Sequence, residues 1–346
     1  MQLIKTALLS YGMSGKVFHA PFFDLHPGFE ITGAWERSKK LIQADFPSVK
    51  SYASIAELLE DDCELVVVNT PVGTHYEYAK QVLLAGKHAI VEKAFTTTVA
   101  EAKELTALAQ EKGLQLAVFQ NRRWDSDFKT VQKIVQDQVL GELVEAEIHF
   151  DRYNPNLSPK QHKETQNAGA GILKDLGSHI IDQALCLFGF PEAVSADIRI
   201  TRAESKVDDW IDITLFYPDL RVRLKAGFFV REPQPSYTLH GTKGSFLKAR
   251  GDVQEDDLKL GKKPNLTTWG SEPEALQGFL HTQIGEQLVK EKVPTLQGNY
   301  NAFFEGVYQA ITKGKSMPVS GQEGVQVMQI IEAALKSNQK EQRIRL

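Results

Sequence analysis

The first 121 residues alternate short apolar runs with segments of helix length, and this alternation most constrains the fold. The strand-like runs cover residues 4–9, 30–35, 65–69, 88–92 and 115–119. Helical patterns lie between them near residues 39–45, 54–60, 74–85 and 98–112, and Gly86 and Gly113 stand where helices end. Such alternation builds a parallel sheet covered by helices on both faces. We therefore predict a doubly wound α/β domain over residues 1–121.

The pattern changes after residue 121. A helix near 125–138, a strand near 143–153 and a helix over 172–187 precede alternating segments at 193–202, 210–217, 221–230, 236–240 and 245–249. These segments predict an α+β domain over 122–346 with a large, mainly antiparallel open sheet. We interpret 250–275 as a surface loop, 298–313 and 322–336 as helices, and 342–346 as an edge strand. A sheet with one helix-covered face leaves the other free, so we expect substrate binding and oligomerisation here.

Composition excludes several classes of protein. The 346 residues are 42% hydrophobic and 24% charged, and no stretch approaches the ~20 apolar residues of a membrane helix. A net charge of −4 with dispersed basic residues gives no footprint for nucleic acid. The first ten residues read as a strand and not as a signal peptide, and only Cys63 and Cys186 are present. We expect a cytoplasmic protein without membrane or nucleic-acid partners.

A glycine-containing turn follows the first predicted strand. The sequence Tyr11-Gly12-Met13-Ser14-Gly15 departs from G-x-G-x-x-G because Ser10 stands in place of the first glycine. Gly12 and Gly15 still allow the close backbone approach that a pyrophosphate needs at a helix N-terminus. We predict a Rossmann-type dinucleotide site, although a tight turn without a ligand has the same pattern.

The end of the second strand gives conflicting signals for the cofactor. Glu36 could accept a hydrogen bond from the 2′-hydroxyl of NAD. Arg37 and Ser38, with Lys39 or Lys40, could instead hold the 2′-phosphate of NADP. Solvated charges at a helix start would look the same.

Polar residues also follow the next two strands. Thr70 and Pro71 close one strand, and the following helix begins near Thr74 and His75. The carboxyl ends of strands are where open α/β sheets bind ligands, so we count these residues as cofactor contacts. Glu92 and Lys93 close the following strand at the same edge.

Asp175 and His179 are four residues apart in the predicted helix over 172–187. This spacing places a carboxylate and an imidazole on one helix face, where the acid can orient the ring. A histidine held in this way can accept a proton from a hydroxyl. A zinc site is disfavoured because catalytic zinc needs three protein ligands, and no third has recognisable spacing.

Four motifs in order resemble the Gfo/Idh/MocA oxidoreductase family over essentially the whole chain. They are Tyr11-Gly12-x-x-Gly15, Glu92-Lys93, Asn121-Arg122-Arg123-Trp124 and Asp175-Leu176-Gly177-Ser178-His179. Finer features at 17–21, 121–127 and 151–153 resemble the bacterial branch containing NADP-dependent scyllo-inositol dehydrogenases. The resemblance implies a cyclic polyol or sugar as substrate, NADP in preference to NAD, and a homodimer or homotetramer formed through the C-terminal sheet.

The resemblance also implies roles for individual residues. Lys93, Asp175 and His179 would line the nicotinamide cleft, with His179 as the main acid/base, Asp175 orienting it and Lys93 polarising the substrate oxygen. Asn121, Arg123 and Trp124 would lie on the nicotinamide side, although hinge packing explains Arg123 and Trp124 equally well. Arg152, Tyr153 and Tyr237 are weaker candidates for substrate hydroxyls.

One position departs from the family pattern. Ala94 replaces the proline that usually follows the Glu-Lys pair, and in relatives this proline commonly follows a cis peptide bond. A cis bond before alanine costs about 2.5–4 kcal/mol, so we predict a trans Lys93–Ala94 bond. Alternative functions are an aldose or other sugar dehydrogenase of the same family, and a regulator that binds nucleotide without turnover.

Overall fold

The computed structural model describes residues 2–36, 39–158, 164–167, 169–265 and 267–346. The chain divides into two compact units. The first comprises Met1–Asn121, Val253–Trp269 and Asn299–Val325, and the second comprises Arg122–Asp252, Gly270–Gly298 and Gln326–Leu346. Two segments that we predicted to belong to the second domain therefore pack with the first unit. Within the described ranges, no helix is long and apolar enough to cross a membrane.

A six-stranded sheet forms the centre of the first unit. Its strands are β1 (Ile4–Leu8), β2 (Phe29–Trp35), β3 (Lys50–Tyr52), β4 (Leu65–Val68), β5 (His88–Val91) and β6 (Leu116–Val118). They are parallel in the order β3-β2-β1-β4-β5-β6, which confirms the predicted parallel sheet; β3 was not among the predicted strands. Strand order reverses between β1 and β4, the switch point where such sheets bind ligands.

Helices connect the strands, and apart from those over Ala20–Leu25 and Gln254–Lys259 they lie at the predicted positions. They are α1 (Ala20–Leu25), α2 (Ile42–Asp45), α3 (Ile55–Glu60), α4 (His75–Leu84), α5 (Val99–Glu111), α6 (Ser126–Gln136), α7 (Ser178–Phe188), α8 (Gln254–Lys259), α9 (Asn301–Lys313) and α10 (Gly321–Lys340). Side-chain caps set several of their starts. Thr98 and Glu101 form a capping box at α5, and Ser54 accepts the Glu57 amide at α3. Gly86 and Gly113 have φ of 74° and 64°, as helix-ending glycines do.

A nine-stranded sheet dominates the second unit. Its strands are β7 (Leu143–His149), β8 (Ala193–Arg199), β9 (Trp210–Phe216), β10 (Arg221–Gly227), β11 (Tyr237–Gly241), β12 (Gly244–Lys248), β13 (Gly278–Ile284), β14 (Gln287–Val293) and β15 (Ile344–Arg345). Their order is β14-β13-β12-β11-β7-β10-β9-β8-β15. The β7–β10 pair is parallel and the other pairs given by the register are antiparallel, so the predicted open sheet is confirmed.

The two faces of this sheet differ in burial. Residues such as Ile213, Leu224 and Ile148 are fully buried on the core face. Alternate residues, including Asp212, Arg223 and Glu147, lie on the other face with charged side chains. The alternation is that of an antiparallel sheet with one covered face.

The interpretation of 250–275 as a surface loop is wrong in part. Residues Gln254–Lys259 form α8, and the side chains of Gln254 and Trp269 are 0% and 3% exposed. The Trp269 indole donates to Gln254 Oε1 at 3.0 Å, and the Tyr300 amide donates to the same oxygen at 2.8 Å. A buried glutamine that satisfies two donors holds this segment against the first unit, and such an anchor leaves no apolar period in the sequence.

Candidate active site

The glycine turn of the first unit is built on a close backbone approach. A Cβ atom at Gly15 would lie 2.3 Å from the carbonyl oxygen of Ser10, so only glycine fits there. The Ser10 hydroxyl accepts the Gly12 amide at 3.2 Å, and its carbonyl accepts the Asn69 side-chain amide at 2.8 Å. Ser10, in place of the first glycine of the motif, therefore stabilises the turn. A Cβ at Gly12 would meet only the Ser10 hydroxyl, at 3.5 Å, so this glycine borders open space.

A cleft of about 290 Å³ lies beside this turn at the switch point of the sheet. It is lined by the turn, by the end of β2 and by the loop after β4: Leu9, Ser10, Tyr11, Gly12, Trp35, Glu36, Lys39, Leu41, Thr70, Pro71, Thr74 and Tyr78. The structure thus brings together six predicted cofactor residues, namely Tyr11, Gly12, Glu36, Thr70, Pro71 and Thr74. Met13 is 52% exposed on the same turn. Arg37 and Ser38 lie outside the described residues.

Two predicted residues of the cleft are held by local bonds. The Tyr11 hydroxyl donates a hydrogen bond to Asp45 Oδ2 at 2.9 Å. Burial, and to a smaller extent this hydrogen bond, raises the pKa of Tyr11. The carboxylate of Glu36 accepts the amides of Leu41 and Ile42 at 2.9 and 3.0 Å. The Glu36 side chain therefore caps the start of α2 by accepting two of its backbone amides.

His75 does not face the cleft. Its side chain is fully buried, with Nδ1 at 3.0 Å from the Ala94 carbonyl and Nε2 at 2.8 Å from the Thr70 carbonyl. Burial lowers the pKa of His75, so the ring is neutral and can donate to only one of these oxygens. The prediction of a direct cofactor contact is wrong for this side chain, because its polar atoms point into the protein and fix two loops.

Glu92 and Lys93 follow β5 at the same edge of the sheet. Glu92 faces inward, where Oε1 accepts the Ser14 hydroxyl at 2.5 Å and lies 2.9 Å from His19 Nε2. The Lys93–Ala94 peptide bond is cis, so the predicted trans bond is wrong. Ala94 is 1% exposed and its carbonyl contacts the buried His75 ring. Tertiary contacts of this kind outweigh the local preference for trans that the prediction relied on.

The second unit carries Asp175 and His179. A wide π-type turn over Leu173–Gly177 leads into α7, so both residues lie on one continuous helical segment as predicted. His179 is 5% exposed and its ring centre lies 6.4 Å from that of Phe150. π-type turns inside helices are frequent at functional sites.

An acidic residue that sequence reasoning missed anchors this helix. The Asp208 carboxylate accepts the Leu173 amide at 2.7 Å, and its backbone carbonyl accepts the Ile172 amide at 2.8 Å. Gly171 precedes them with φ of 97°, and a Cβ there would lie 1.9 Å from Asp208 Oδ1. In the sequence, Gly171 before a helix was the one sign of this contact. Nothing in the sequence indicated its acidic partner, Asp208, which lies 37 residues away.

Other predicted residues of the second unit have structural partners. Arg123 forms a bidentate ion pair with Asp182, with Nε–Oδ2 and Nη2–Oδ1 distances of 2.8 and 2.7 Å. Tyr237 is fully buried and donates to Asp127 Oδ1 at 3.0 Å. The suggestion that Tyr237 binds substrate is wrong, because β11 turns its side chain into the core.

Arg152 and Tyr153 are exposed, as a substrate role requires. The Arg152 guanidinium lies 5.3 Å from the Phe150 ring centre, and that of Arg231 lies 3.9 Å from the Tyr153 ring centre. Asn121 is 6% exposed, and Trp124 is partly exposed on the same short helical turn. In the part of the chain that the structure describes, no group of three or more His, Cys, Asp or Glu side chains could hold a metal ion.

Two family models match the chain. Residues 4–120 match an oxidoreductase family model for an NAD-binding Rossmann fold, named GFO_IDH_MocA. Residues 132–346 match the model for the C-terminal alpha/beta domain of the same oxidoreductase family.

Similar proteins cover the whole chain. The scyllo-inositol 2-dehydrogenase (NADP(+)) IolW of Bacillus subtilis is 37% identical over 99% of this chain and 96% of its own length. The solved structure of the B. subtilis oxidoreductase yvaA superposes with a TM-score of 0.96 at 36% identity, covering 100% of this chain and 99% of that one. An oxidoreductase structure from Bacteroides fragilis gives a TM-score of 0.91 at 43% identity, with both chains covered completely.

Proposed function

The chain belongs to the Gfo/Idh/MocA family of oxidoreductases, and we propose that it oxidises a secondary alcohol of a cyclic polyol or sugar with NADP. The observation that carries this proposal is the pairing of a nucleotide-type cleft in the first unit with an Asp175–His179 helix in the second. The cleft would bind the nucleotide cofactor, and the helix carries side chains able to move a proton.

The cleft fits a dinucleotide. In its glycine turn, the backbone packs so closely at Gly15 that no side chain fits, whereas Gly12 borders open space. Trp35 and Tyr78 form an edge-to-face pair with ring centres 5.9 Å apart, and Leu41 adds apolar surface beside them. These groups would hold the nucleotide end, while the turn would hold the diphosphate.

Two observations support NADP over NAD. The Glu36 carboxylate accepts two backbone amides, which disfavours its use as the acceptor for a ribose hydroxyl pair. Lys39 lines the same cleft and supplies the positive charge that a 2′-phosphate requires. The B. subtilis relative that uses NADP according to its name is consistent with this choice.

The proposed mechanism assigns one task to each ionisable residue. A nicotinamide cofactor held in the cleft would supply the hydride chemistry of the reaction. His179 takes the hydroxyl proton of the alcohol, Asp175 orients its ring, and Lys93 polarises the oxygen that becomes a carbonyl. Arg152 and Tyr153, both exposed in the second unit, are proposed to contact the other hydroxyl groups.

The outward face of the nine-stranded sheet supports self-association. Phe216, Leu247 and Phe279 share this face by register, and Leu288 on β14 is 72% exposed. We propose that a second copy covers this face, giving a homodimer or homotetramer. Light scattering of Phe279→Glu should show dissociation, whereas Leu260→Glu, at an exposed position in the first unit, should not. If the molar mass of Phe279→Glu in solution equals that of the unmodified protein, this face is not the subunit interface.

The direct test is to mix the protein with NADP or NAD and a panel of inositols, aldoses and deoxysugars. Growth of the reduced-nicotinamide absorbance with a cyclic polyol supports the proposal. Turnover confined to aldoses would favour a sugar dehydrogenase of the same family. Tight NADP binding without turnover of any member would favour a regulator.

A further inference from the structure

The short helix α2 joins two walls of the cofactor cleft. A helix of one turn is not stable by itself in water, so contacts at its ends and beneath it decide where it lies. Ile42 at its start is fully buried and ties it to the core of the first unit. The Glu36 carboxylate at the end of β2 accepts the Leu41 and Ile42 amides, and Leu41 lines the cleft. The start of α2 is thus fixed to the wall that the end of β2 forms.

Asp45 ties the other end of α2 to the glycine turn. Its Oδ2 atom accepts the Tyr11 hydroxyl at 2.9 Å and lies 2.8 Å from Lys16 Nζ. The Phe46 ring, one residue further on, meets the Tyr11 ring edge-to-face with ring centres 6.4 Å apart. Tyr11 is 3% exposed and lines the cleft, so Asp45 and Phe46 hold a residue of the wall that the turn forms.

The Asp45 carboxylate is charged, and its charge is compensated. The hydrogen bond from Lys16 chiefly, and that from Tyr11 to a smaller extent, lower the pKa of Asp45. The Tyr11 hydroxyl therefore donates to an ionised acceptor, which gives a stronger bond than a neutral acceptor would. A single carboxylate beside the turn would repel a diphosphate, but the Lys16 ammonium offsets that charge. Asp45 can therefore anchor Tyr11 at this place with little repulsion of the cofactor.

The first unit contains the same arrangement a second time, outside the lining of the cleft. Asp61 Oδ2 accepts the Tyr52 hydroxyl at 2.9 Å and the Lys50 ammonium at 2.5 Å. Tyr52 is 1% exposed, and the residues that line the cleft include none of these three. The group around Asp61 thus has the same chemistry in a different position. Comparing the two groups separates support of the fold from support of the cofactor site.

We propose that Asp45 is a positioning residue for the dinucleotide, which fixes Tyr11 in the cleft and, through α2, holds the two walls of the cleft together. This rests on the proposed dinucleotide site. Loss of the carboxylate leaves the buried Tyr11 hydroxyl without this acceptor and releases one end of α2. Cofactor affinity should therefore fall. Turnover with bound cofactor should change little, because the contacts of the Asp45 side chain with described residues include none of the proposed proton-handling groups.

The test measures the Kd of NADPH and of NADH by fluorescence titration and continues with whichever the unmodified protein binds more tightly. Asp45→Ala should raise this Kd about tenfold, and kcat at saturating cofactor should stay within about twofold. Asp45→Asn keeps a carbonyl acceptor for Tyr11 and should raise the Kd no more than about threefold. Asp61→Ala is the matched control. It should lower the stability to urea about as much as Asp45→Ala does and leave the Kd within about twofold.

Tyr11→Phe is a second test, because phenylalanine keeps the ring and removes only the hydroxyl. It should raise the Kd about fivefold, and the double variant with Asp45→Ala should match Asp45→Ala, since both changes break the same bond. Tyr52→Phe is the control for this change and should leave the Kd within about twofold. If Asp45→Ala does not fold, Tyr11→Phe and Tyr52→Phe decide, and equal Kd values for these two would overturn the proposal.

Three other results would overturn it. They are a Kd for Asp45→Ala within about twofold of that of the unmodified protein or equal to that of Asp61→Ala, a kcat lowered as much as the affinity, and effects of Tyr11→Phe and Asp45→Ala on the Kd that multiply in the double variant. If the unmodified protein bound neither cofactor, the proposed function would fail and this proposal with it. Because binding needs no substrate, the two failures are distinguishable even if no polyol is oxidised.

Discussion

Asp208 holds the backbone amide of Leu173 at 2.7 Å, at the point where the chain enters the helix that carries Asp175 and His179. Gly171 packs directly against the same carboxylate, with space for no Cβ atom. The orientation of the proposed acid/base helix therefore depends on a residue from the loop between β8 and β9.

Gly171→Ala should destabilise the protein by about 2–4 kcal/mol, because it combines a positive φ with a Cβ that collides with Asp208. Gly314→Ala is the matched control, since Gly314 also has positive φ (64°), in the left-handed helical region, but no atom within 4 Å of its Cβ position. The control should lose about 1 kcal/mol in urea unfolding. Equal losses would show that the Asp208 contact is unimportant.

Asp208→Asn should change how stability depends on pH. Burial raises the pKa of Asp208, and the amide bond from Leu173 offsets this only in part. The folded state thus binds this proton more tightly than the unfolded state, so ionisation opposes folding as pH rises from about 4 through the folded-state pKa. The free energy of unfolding of Asp208→Asn, relative to the unmodified protein, should rise over that interval and then level off. Urea titrations at several pH values would show it, and a pH-independent difference would contradict it.

Arg123→Lys separates hinge packing from cofactor contact. Lysine cannot reproduce the bidentate pair with Asp182, so the variant should lose about 2–3 kcal/mol of stability and little NADPH affinity. Asp182→Asn should cost a similar amount, and the double variant should cost less than the two added together. A large loss of NADPH affinity at unchanged stability would instead assign Arg123 to the cofactor.

Arg37→Ala should raise the KM for NADP by about tenfold or more and change that for NAD little, if a guanidinium binds the 2′-phosphate. Lys39→Ala should act in the same direction, since Lys39 lines the cleft. Lys103→Ala on α5 is the control. Equal effects on both cofactors would refute the assignment of the phosphate site.

The two sheet types, most helices and the glycine turn were predictable because burial in a regular element repeats along the sequence. The strands β13 and β14 were missed although Gly278–Ile284 and Gln287–Val293 alternate around Gly285. Tyr237 and His75 were misassigned for another reason. Whether a polar side chain points into a cleft or into the core depends on long-range partners, such as Asp127 for Tyr237, and adjacent residues do not reveal them.

The cis bond before Ala94 was missed for the same reason. Alanine carries no local signal for cis, and the surrounding contacts come from His75 on α4. His19 lies within the sequence feature at 17–21, but its contact with Glu92 could not be predicted from the sequence.

The most direct measurement compares turnover and cofactor affinity in Lys93→Ala and His179→Ala. With NADP and a polyol that the protein oxidises, kcat should fall by about 100-fold or more in each variant, because each removes a proton-handling group. The NADPH Kd should stay within about threefold, since neither change alters the nucleotide cleft. Turnover like that of the unmodified protein in either variant would contradict the account.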